Sequence, residues 1–329
     1  MTASYPRNSR LALFALIAVA LLSTQSLVFA RRTASARRDT ESSAQFEALP
    51  LDRSPQNHLI VRAFINGKPA LLGVDTGAPV SAIAANRRQY YGLTSVAGAS
   101  KLPPRLMING AFNAVGVVKS LRIGALTLVD EPMVAINLGP DSRAARLRGE
   151  QEIDGILGAD ILFPTRAVLD CQRQLLILNL EPESEKAAPG VDYTGFSSVP
   201  IHVSEGYNLY VDGTVNGEPA QLMVDTGAFA TLLHRSFVKR MKIPMHATPF
   251  SSAAVNLRES DVQVARIRRL TVGSVNIVGH KVGVIDLGGL IHTDALKGER
   301  PVVGLLGGEL LQRHHGIIDF GTRRLYLKG

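Results

Sequence analysis

The chain has 329 residues, 46% of them hydrophobic and 19% charged, enough for two ordinary domains with sizeable cores. Its formal charge of +8 owes much to Arg residues near the N-terminus. Neither zinc-finger spacing nor an aromatic-studded basic sheet motif accompanies it, which argues against a nucleic-acid-binding role.

In chain order, residues 1–30 read as a signal peptide or anchor. Arg7 and Arg10 precede an apolar run from Leu11 to Leu22, and Val28-Phe29-Ala30 fits a small-residue cleavage site. Left uncut, Leu11 to Ala30 nearly spans a bilayer, but Ser23, Thr24, Gln25 and Ser26 interrupt the run and favour cleavage. Arg31, Arg32, Arg37 and Arg38 follow, where positive charge opposes ordinary translocation. The expected location is periplasmic or secreted, with membrane attachment only through an uncut leader. Residues 31–54 are polar and read as a flexible arm. The single Cys, Cys171, cannot form an intramolecular disulfide, so the fold of an exported chain rests on its core.

From residue 55 the chain is written twice. "LIVRAFINGKPALLGVDTGAPVSAIA" at 59–84 aligns without a gap to "LYVDGTVNGEPAQLMVDTGAFATLLH" at 209–234. "LRIGALTLVDEPMVAINL" at 121–138 matches "LTVGSVNIVGHKVGVIDL" at 270–287. "GILGADILFPTRAVLDCQRQLLIL" at 155–178 matches "GLLGGELLQRHHGIIDFGTRRLYL" at 304–327. Three blocks in one order, offset by about 150 residues, make a tandem duplication: one module over 55–180, a linker over 181–198 and a second module over 199–329.

Each module reads as mostly β. An alternating apolar run, an Asn-Gly turn signal (Asn66-Gly67, Asn216-Gly217) and a second apolar run lead into Asp-Thr-Gly-Ala. The second block is a strand, a Gly-centred turn and a strand. The third is a short apolar run ending at Gly158 or Gly307, a helical stretch (Ala159–Phe163, Gly308–Arg313), then two strands flanking Gln172-Arg173 and Gly321-Thr322. Cys171 aligns with Phe320, as a buried strand residue would.

An Asp straight after a hydrophobic strand places a carboxylate at the rim of a core, where desolvation penalises its charge unless something shares it. Asp75 and Asp225 stand at equivalent positions, so modules packed about a pseudo-twofold axis bring them together. Two carboxylates about 3 Å apart cannot both ionise cheaply. At 4 Å and an effective dielectric of 20 the repulsion is roughly 4 kcal/mol. The pair then holds one proton: one member can act as general base on a water while the other polarises a carbonyl. Thr76 and Thr226 can fix the loops by hydrogen bonding, and Gly77 and Gly227 permit tight turns.

These motifs resemble the pepsin and retropepsin superfamily, specifically the bacterial retropepsin-like aspartic proteases. The resemblance runs from about residue 55 to the C-terminus and rests on Asp75-Thr76-Gly77 with Ile156-Leu157-Gly158, and on Asp225-Thr226-Gly227 with Leu305-Leu306-Gly307. It implies two homologous closed β-barrel lobes related by a pseudo-twofold axis with the active site between them. It also implies Asp75 and Asp225 as the catalytic pair, cross-bracing by Thr76 and Thr226, and loop bracing by Gly158 and Gly307. The activity implied is that of an endopeptidase acting on an exported polypeptide, as a monomer and without metal or cofactor. The alternative is a catalytically silent peptide-binding module of the same fold. Ala78 and Ala228 replace the Ser or Thr usual in pepsin-like lobes, which removes a hydroxyl donor and moves the expected optimum from strongly to mildly acidic. A substrate flap is expected around Ile108-Asn109-Gly110-Ala111, or around Ser252–Arg258 in the second module.

Three features carry no chemistry on this reading. His314-His315 lack the companions of a metal site and align with Thr165-Arg166. No Gly-x-Ser-x-Gly elbow is present, and no His repeats beside Cys171. Asp170 and Asp319 align and read as turn-ending residues.

Overall fold

The computed structural model describes residues 11–13, 45–95, 107–108, 111–112, 115–136, 138, 152–181, 188, 190–204, 207–254, 257–288 and 302–329. Within it the two modules are two barrels. In the first, Leu59–Ile65 turns through Asn66-Gly67 into Lys68–Val74, both turn residues having positive φ (51° and 78°) as a two-residue hairpin requires. Lys68–Val74 runs parallel to Gly155–Leu157, which pairs antiparallel with Ala82–Ala84, itself parallel to the end of Leu126–Ile136. That strand forms a hairpin with Val115–Ile123, which returns to pair with Leu59–Ile65 through Leu121 and Ile65. Six strands thus close on themselves. Alternate residues such as Val61, Ala63, Ile65, Leu121 and Ile123 fill the interior.

The second module repeats the circuit with Leu209–Val215, Glu218–Val224, Val302–Leu306 and Leu232–His234. Its two long strands are broken where the first module's are continuous. Leu257–Arg266 pairs with Lys281–Ile285, and Arg269–Val272 with Val275–Val278. Arg269–Val272 then closes the circuit onto Leu209–Val215. The break falls at Gly279 (φ 63°); at the equivalent position of the first module Asp130 also takes a positive φ (56°), while the pairing register there runs on unchanged.

A third sheet of six strands joins the modules. Its order is Ser197–Pro200, Arg324–Leu327, Ile317–Asp319, Val168–Asp170, Leu175–Asn179 and Phe46–Pro50, so each half supplies three strands. The central pair, Ile317–Asp319 against Val168–Asp170, consists of equivalent residues running antiparallel, as a twofold axis between them demands. Phe46–Pro50 corrects the reading of residues 31–54 as a flexible arm: its last part is an edge strand, pairing from Phe46 opposite Asn179 to Pro50 opposite Leu175. Pro50 ends this strand, where a missing N–H costs nothing. Asp170 and Asp319 begin turns rather than end them: each closes a strand and accepts N–H groups from the turn that follows, of Gln172 and Arg173 and of Thr322. Cys171 and Phe320 are both buried at the strand ends, and burial pushes the Cys171 thiol up to about 12. His314-His315 close a turn after the helix Gly308–Arg313, with His314 Nδ1 2.9 Å from the Lys328 carbonyl oxygen. Among the described residues no helix is long and apolar enough to cross a membrane.

Candidate active site

The parallel pairing of Val74 with Leu157, and of Val224 with Leu306, brings the two strand ends of each lobe side by side. The Asp75 N–H donates to the Leu157 carbonyl at 3.1 Å, and the Asp225 N–H to the Leu306 carbonyl at 3.1 Å. Both aspartates are therefore fixed at their backbones by the apolar-apolar-Gly segment of their own lobe. Gly158 and Gly307 lie behind the loops with no room for a side chain. A Cβ on Gly158 would stand 2.8 Å from the Ala78 carbonyl oxygen, and one on Gly307 2.4 Å from the Ala230 carbonyl carbon. The next N–H groups, of Ala159 and Gly308, donate to the Ala78 and Ala228 carbonyls, each at 2.8 Å.

The two loops meet at the lobe junction. The Thr76 hydroxyl donates to the Val224 carbonyl (2.8 Å) and accepts the Thr226 N–H (3.1 Å). The Thr226 hydroxyl donates to the Val74 carbonyl (2.8 Å) and accepts the Thr76 N–H (3.0 Å). All four bonds are buried, and each crosses from one lobe to the other.

Asp75 and Asp225 are brought together by this brace, 3% and 0% exposed. Each glycine of the motif rests on the opposite carboxylate: a Cβ on Gly77 would lie 2.6 Å from Asp225, and one on Gly227 2.4 Å from Asp75. Close approach is what these glycines permit. Asp75 Oδ1 accepts the Gly77 N–H at 2.8 Å, while Asp225 Oδ1 accepts the N–H groups of Gly227 (2.9 Å) and Ala228 (3.0 Å). The Oδ2 atoms of both are buried and take no hydrogen bond from any other residue, while the two carboxyls stand within hydrogen-bonding reach of each other. Burial, then the neighbouring Asp225, holds Asp75 well above the usual carboxylate range; burial likewise raises Asp225, against the pull of its backbone donors. Each carboxylate has the backbone N–H groups of its own loop beside it, and the two titrate as one pair that shares a proton. Ala78 and Ala228 are buried and offer no hydroxyl to either carboxylate.

Sequence reading missed a second tier of this brace. Ser81 and Thr231, each six residues after its Asp, accept the Gly158 and Gly307 N–H groups on their hydroxyls (2.9 and 3.1 Å). Their own N–H groups donate to Asp160 (2.9 Å) and Glu309 (2.8 Å), each two residues after the bracing Gly. In lobe 2 the network continues, with His280 Nε2 3.2 Å from Glu309 and Arg313 beyond it. The signal was present: Ser/Thr at one column and Asp/Glu at the other recur in both copies of the repeat.

Of the flap candidates, Asn109 and Gly110 lie outside the described residues, although Met107–Ile108 and Ala111–Phe112 on either side pair as a hairpin. In lobe 2 Met245–Ala254 and Leu257–Arg266 form a long hairpin whose end falls within the expected Ser252–Arg258, residues 255–256 themselves being outside the described set. Among the described residues no group of three or more His, Cys, Asp or Glu is placed to hold a metal ion.

The aspartyl protease family model matches the chain twice, over residues 61–161 and 211–310. Among solved structures, the chain is similar to basic 7S globulin from soybean (TM-score 0.50, 12% identity, covering 86% of this chain and 95% of that one). The aspartic proteinase from Irpex lacteus also matches (TM-score 0.48, 14% identity, 86% and 97% covered). A comparison with curated proteins gave no match.

Proposed function

The chain belongs to the aspartyl protease family, and we propose that it is an exported aspartic endopeptidase, a monomer that hydrolyses peptide bonds of a polypeptide substrate between Asp75 and Asp225. The observation that carries this reading is the pair of buried carboxylates brought together at the lobe junction, their Oδ2 atoms taking no hydrogen bond from any other residue. A water held by those two atoms loses a proton to the ionised member, Asp225, as it attacks the peptide carbonyl. The protonated member, Asp75, donates to the carbonyl oxygen as it becomes a hydroxyl. The tetrahedral diol collapses when its C–N bond breaks, the amine nitrogen taking the proton from Asp225 and a diol hydroxyl returning its proton to Asp75. No covalent intermediate forms, and the pair ends with the single proton it began with.

Both lobes keep their Asp, Thr and Gly, and each carboxylate is braced by its own strand and by the opposite Thr. This supports a working site over a silent peptide-binding module. Export is supported by the apolar run from Leu11 to Leu22 after Arg7 and Arg10. The test is cleavage of a denatured-protein or peptide library by the mature chain, with and without pepstatin, across pH 3 to 8. The expected result is pepstatin-sensitive endoproteolysis, lowered by about 10²-fold or more in Asp75→Asn and in Asp225→Asn. Cleavage that persists in Asp75→Asn would overturn the assignment of the pair. Peptide binding with no cleavage at any pH would establish the silent module instead.

A further inference from the structure

The brace behind the two catalytic loops is symmetric in its backbone and unequal in its side chains. Ser81 and Thr231 are each held at three points. Their carbonyls accept the N–H groups of Val134 (3.2 Å) and Gly283 (3.0 Å), and their hydroxyls accept those of Gly158 and Gly307. Their own N–H groups go to Asp160 and Glu309. The residue beyond the carboxylate is where the lobes part: in the repeat, His280 occupies the column of Glu131.

Asp160 grips Ser81 by itself. Its two oxygens take the Ser81 N–H at 2.9 Å each, and Oδ1 also takes the hydroxyl at 2.6 Å. Glu309 is longer by a methylene, and the Thr231 N–H reaches one of its oxygens, Oε2, at 2.8 Å. The other, Oε1, lies 3.2 Å from Nε2 of His280. His280 is buried just before the strand Lys281–Ile285, whose Gly283 N–H is the one that holds the Thr231 carbonyl. One segment thus takes Thr231 from both ends, its carbonyl directly and its N–H by way of Glu309.

The imidazole's hydrogen can be placed from its neighbours. Nδ1 lies 3.4 Å from Nη1 of Arg313, and a guanidinium only donates, so Nδ1 carries the lone pair and Nε2 the hydrogen. The neutral ring then donates to Glu309 and accepts from Arg313, while the Ile267 N–H fixes the His280 carbonyl at 2.9 Å. From Thr231 the path to the reaction centre is short. Gly307, held on the Thr231 hydroxyl, follows Leu306, whose carbonyl takes the Asp225 N–H. The Glu309 side chain is 22% exposed, so without a second partner it can turn away toward water.

We propose that His280 is a positioning residue for the lobe 2 catalytic loop: its Nε2–H fixes Glu309 on the Thr231 N–H, and Thr231 in turn fixes Gly307 behind Asp225. Its effect on catalysis rests on the peptidase reading given above.

Gln and Asn at position 280 test it, because a Gln amide nitrogen falls near the place of Nε2 and an Asn amide nitrogen near that of Nδ1. His280→Gln keeps a donor for Glu309; His280→Asn keeps a polar side chain that falls short of it. Small misplacements at a reacting centre are costly, so His280→Asn should lower kcat by about 10-fold with KM within about 2-fold. His280→Gln should keep most of kcat. In a Glu309→Ala background, itself impaired, His280→Asn should cost nothing further. His280→Asn at least as active as His280→Gln would overturn the proposal, as would additive losses in the double variant. The Thr231 amide gives a readout that needs no activity. In protein labelled with nitrogen-15 threonine, its protection from hydrogen exchange should be lost in His280→Asn and kept in His280→Gln, with the other threonine amides unchanged. Loss at every threonine alike would mark His280 as a general core residue and also overturn the proposal. Should the wild-type chain cleave nothing, the peptidase reading fails by itself and the exchange decides alone. Protection lost only at Thr231 and only in His280→Asn then upholds the brace, and equal protection in the two variants ends it.

Discussion

Replacing Asp225 by Asn should make the protein more stable at neutral pH while abolishing its activity. Burial raises the Asp225 carboxyl from 3.8 to about 7. A group whose folded pKa is raised contributes stability that is complete below its unfolded value and is lost as pH rises through the folded one. About three units at 1.36 kcal/mol each give roughly 4 kcal/mol at pH 7 and above. Because Asp75 shares the shift, we expect about 2–4 kcal/mol for the single substitution. The Asn Oδ1 can still accept the Gly227 and Ala228 N–H groups, and its Nδ2 can donate to Asp75, so no buried group loses a partner. At pH 7.5 the Tm should rise by roughly 5–10 °C, and at pH 3.5 the difference should vanish. Scanning calorimetry of both proteins across that range is the assay. A gain of equal size at pH 3.5, or no gain at pH 7.5, would refute the reasoning that desolvated charge is what the pair carries.

Thr226→Val removes a hydroxyl and leaves the Thr76 N–H and the Val74 carbonyl buried and unpaired. At about 1–3 kcal/mol each, urea unfolding should show a loss of roughly 2–5 kcal/mol, and Thr226→Ser should restore most of it. Gly307→Ala forces a methyl to within 2.4 Å of the Ala230 backbone, so the loop must move and kcat should fall by about 10²-fold. A variant with wild-type kcat would show that the loop is not held there. Ala228→Ser adds a hydroxyl beside Asp225, which should move the acid limb of the pH–rate profile down by about one unit. The wild-type profile should peak in mildly acidic to neutral solution, and a maximum near pH 2 would contradict the raised pKa of the pair.

What the sequence disclosed followed what the duplication repeats. Asp75 and Asp225 occupy one column, as do Gly158 and Gly307, and two weak motifs become one strong constraint when written twice. The same reasoning would have exposed Ser81 with Thr231 and Asp160 with Glu309, because those columns conserve chemistry even where residues differ. Phe46–Pro50 was missed for a different reason. Its short polar-flanked run has no pattern of its own and becomes a strand only because Leu175–Asn179 offers an edge. The flaps stayed uncertain because hairpin tips are set by cross-strand pairing rather than by any repeated apolar column.

The shared six-stranded sheet has a further implication for how the molecule is put together. Its midline lies between Val168–Asp170 and Ile317–Asp319, with three strands from each half on either side. A chain cut between Glu181 and Gly190 would yield two fragments, each with a complete barrel, one aspartate, and a three-stranded edge shaped to fit the other's. Neither fragment holds a full reaction centre, and their reunion restores it. The chain is thereby a natural candidate for split-protein complementation, in which the proposed peptidase activity would report that two halves have met.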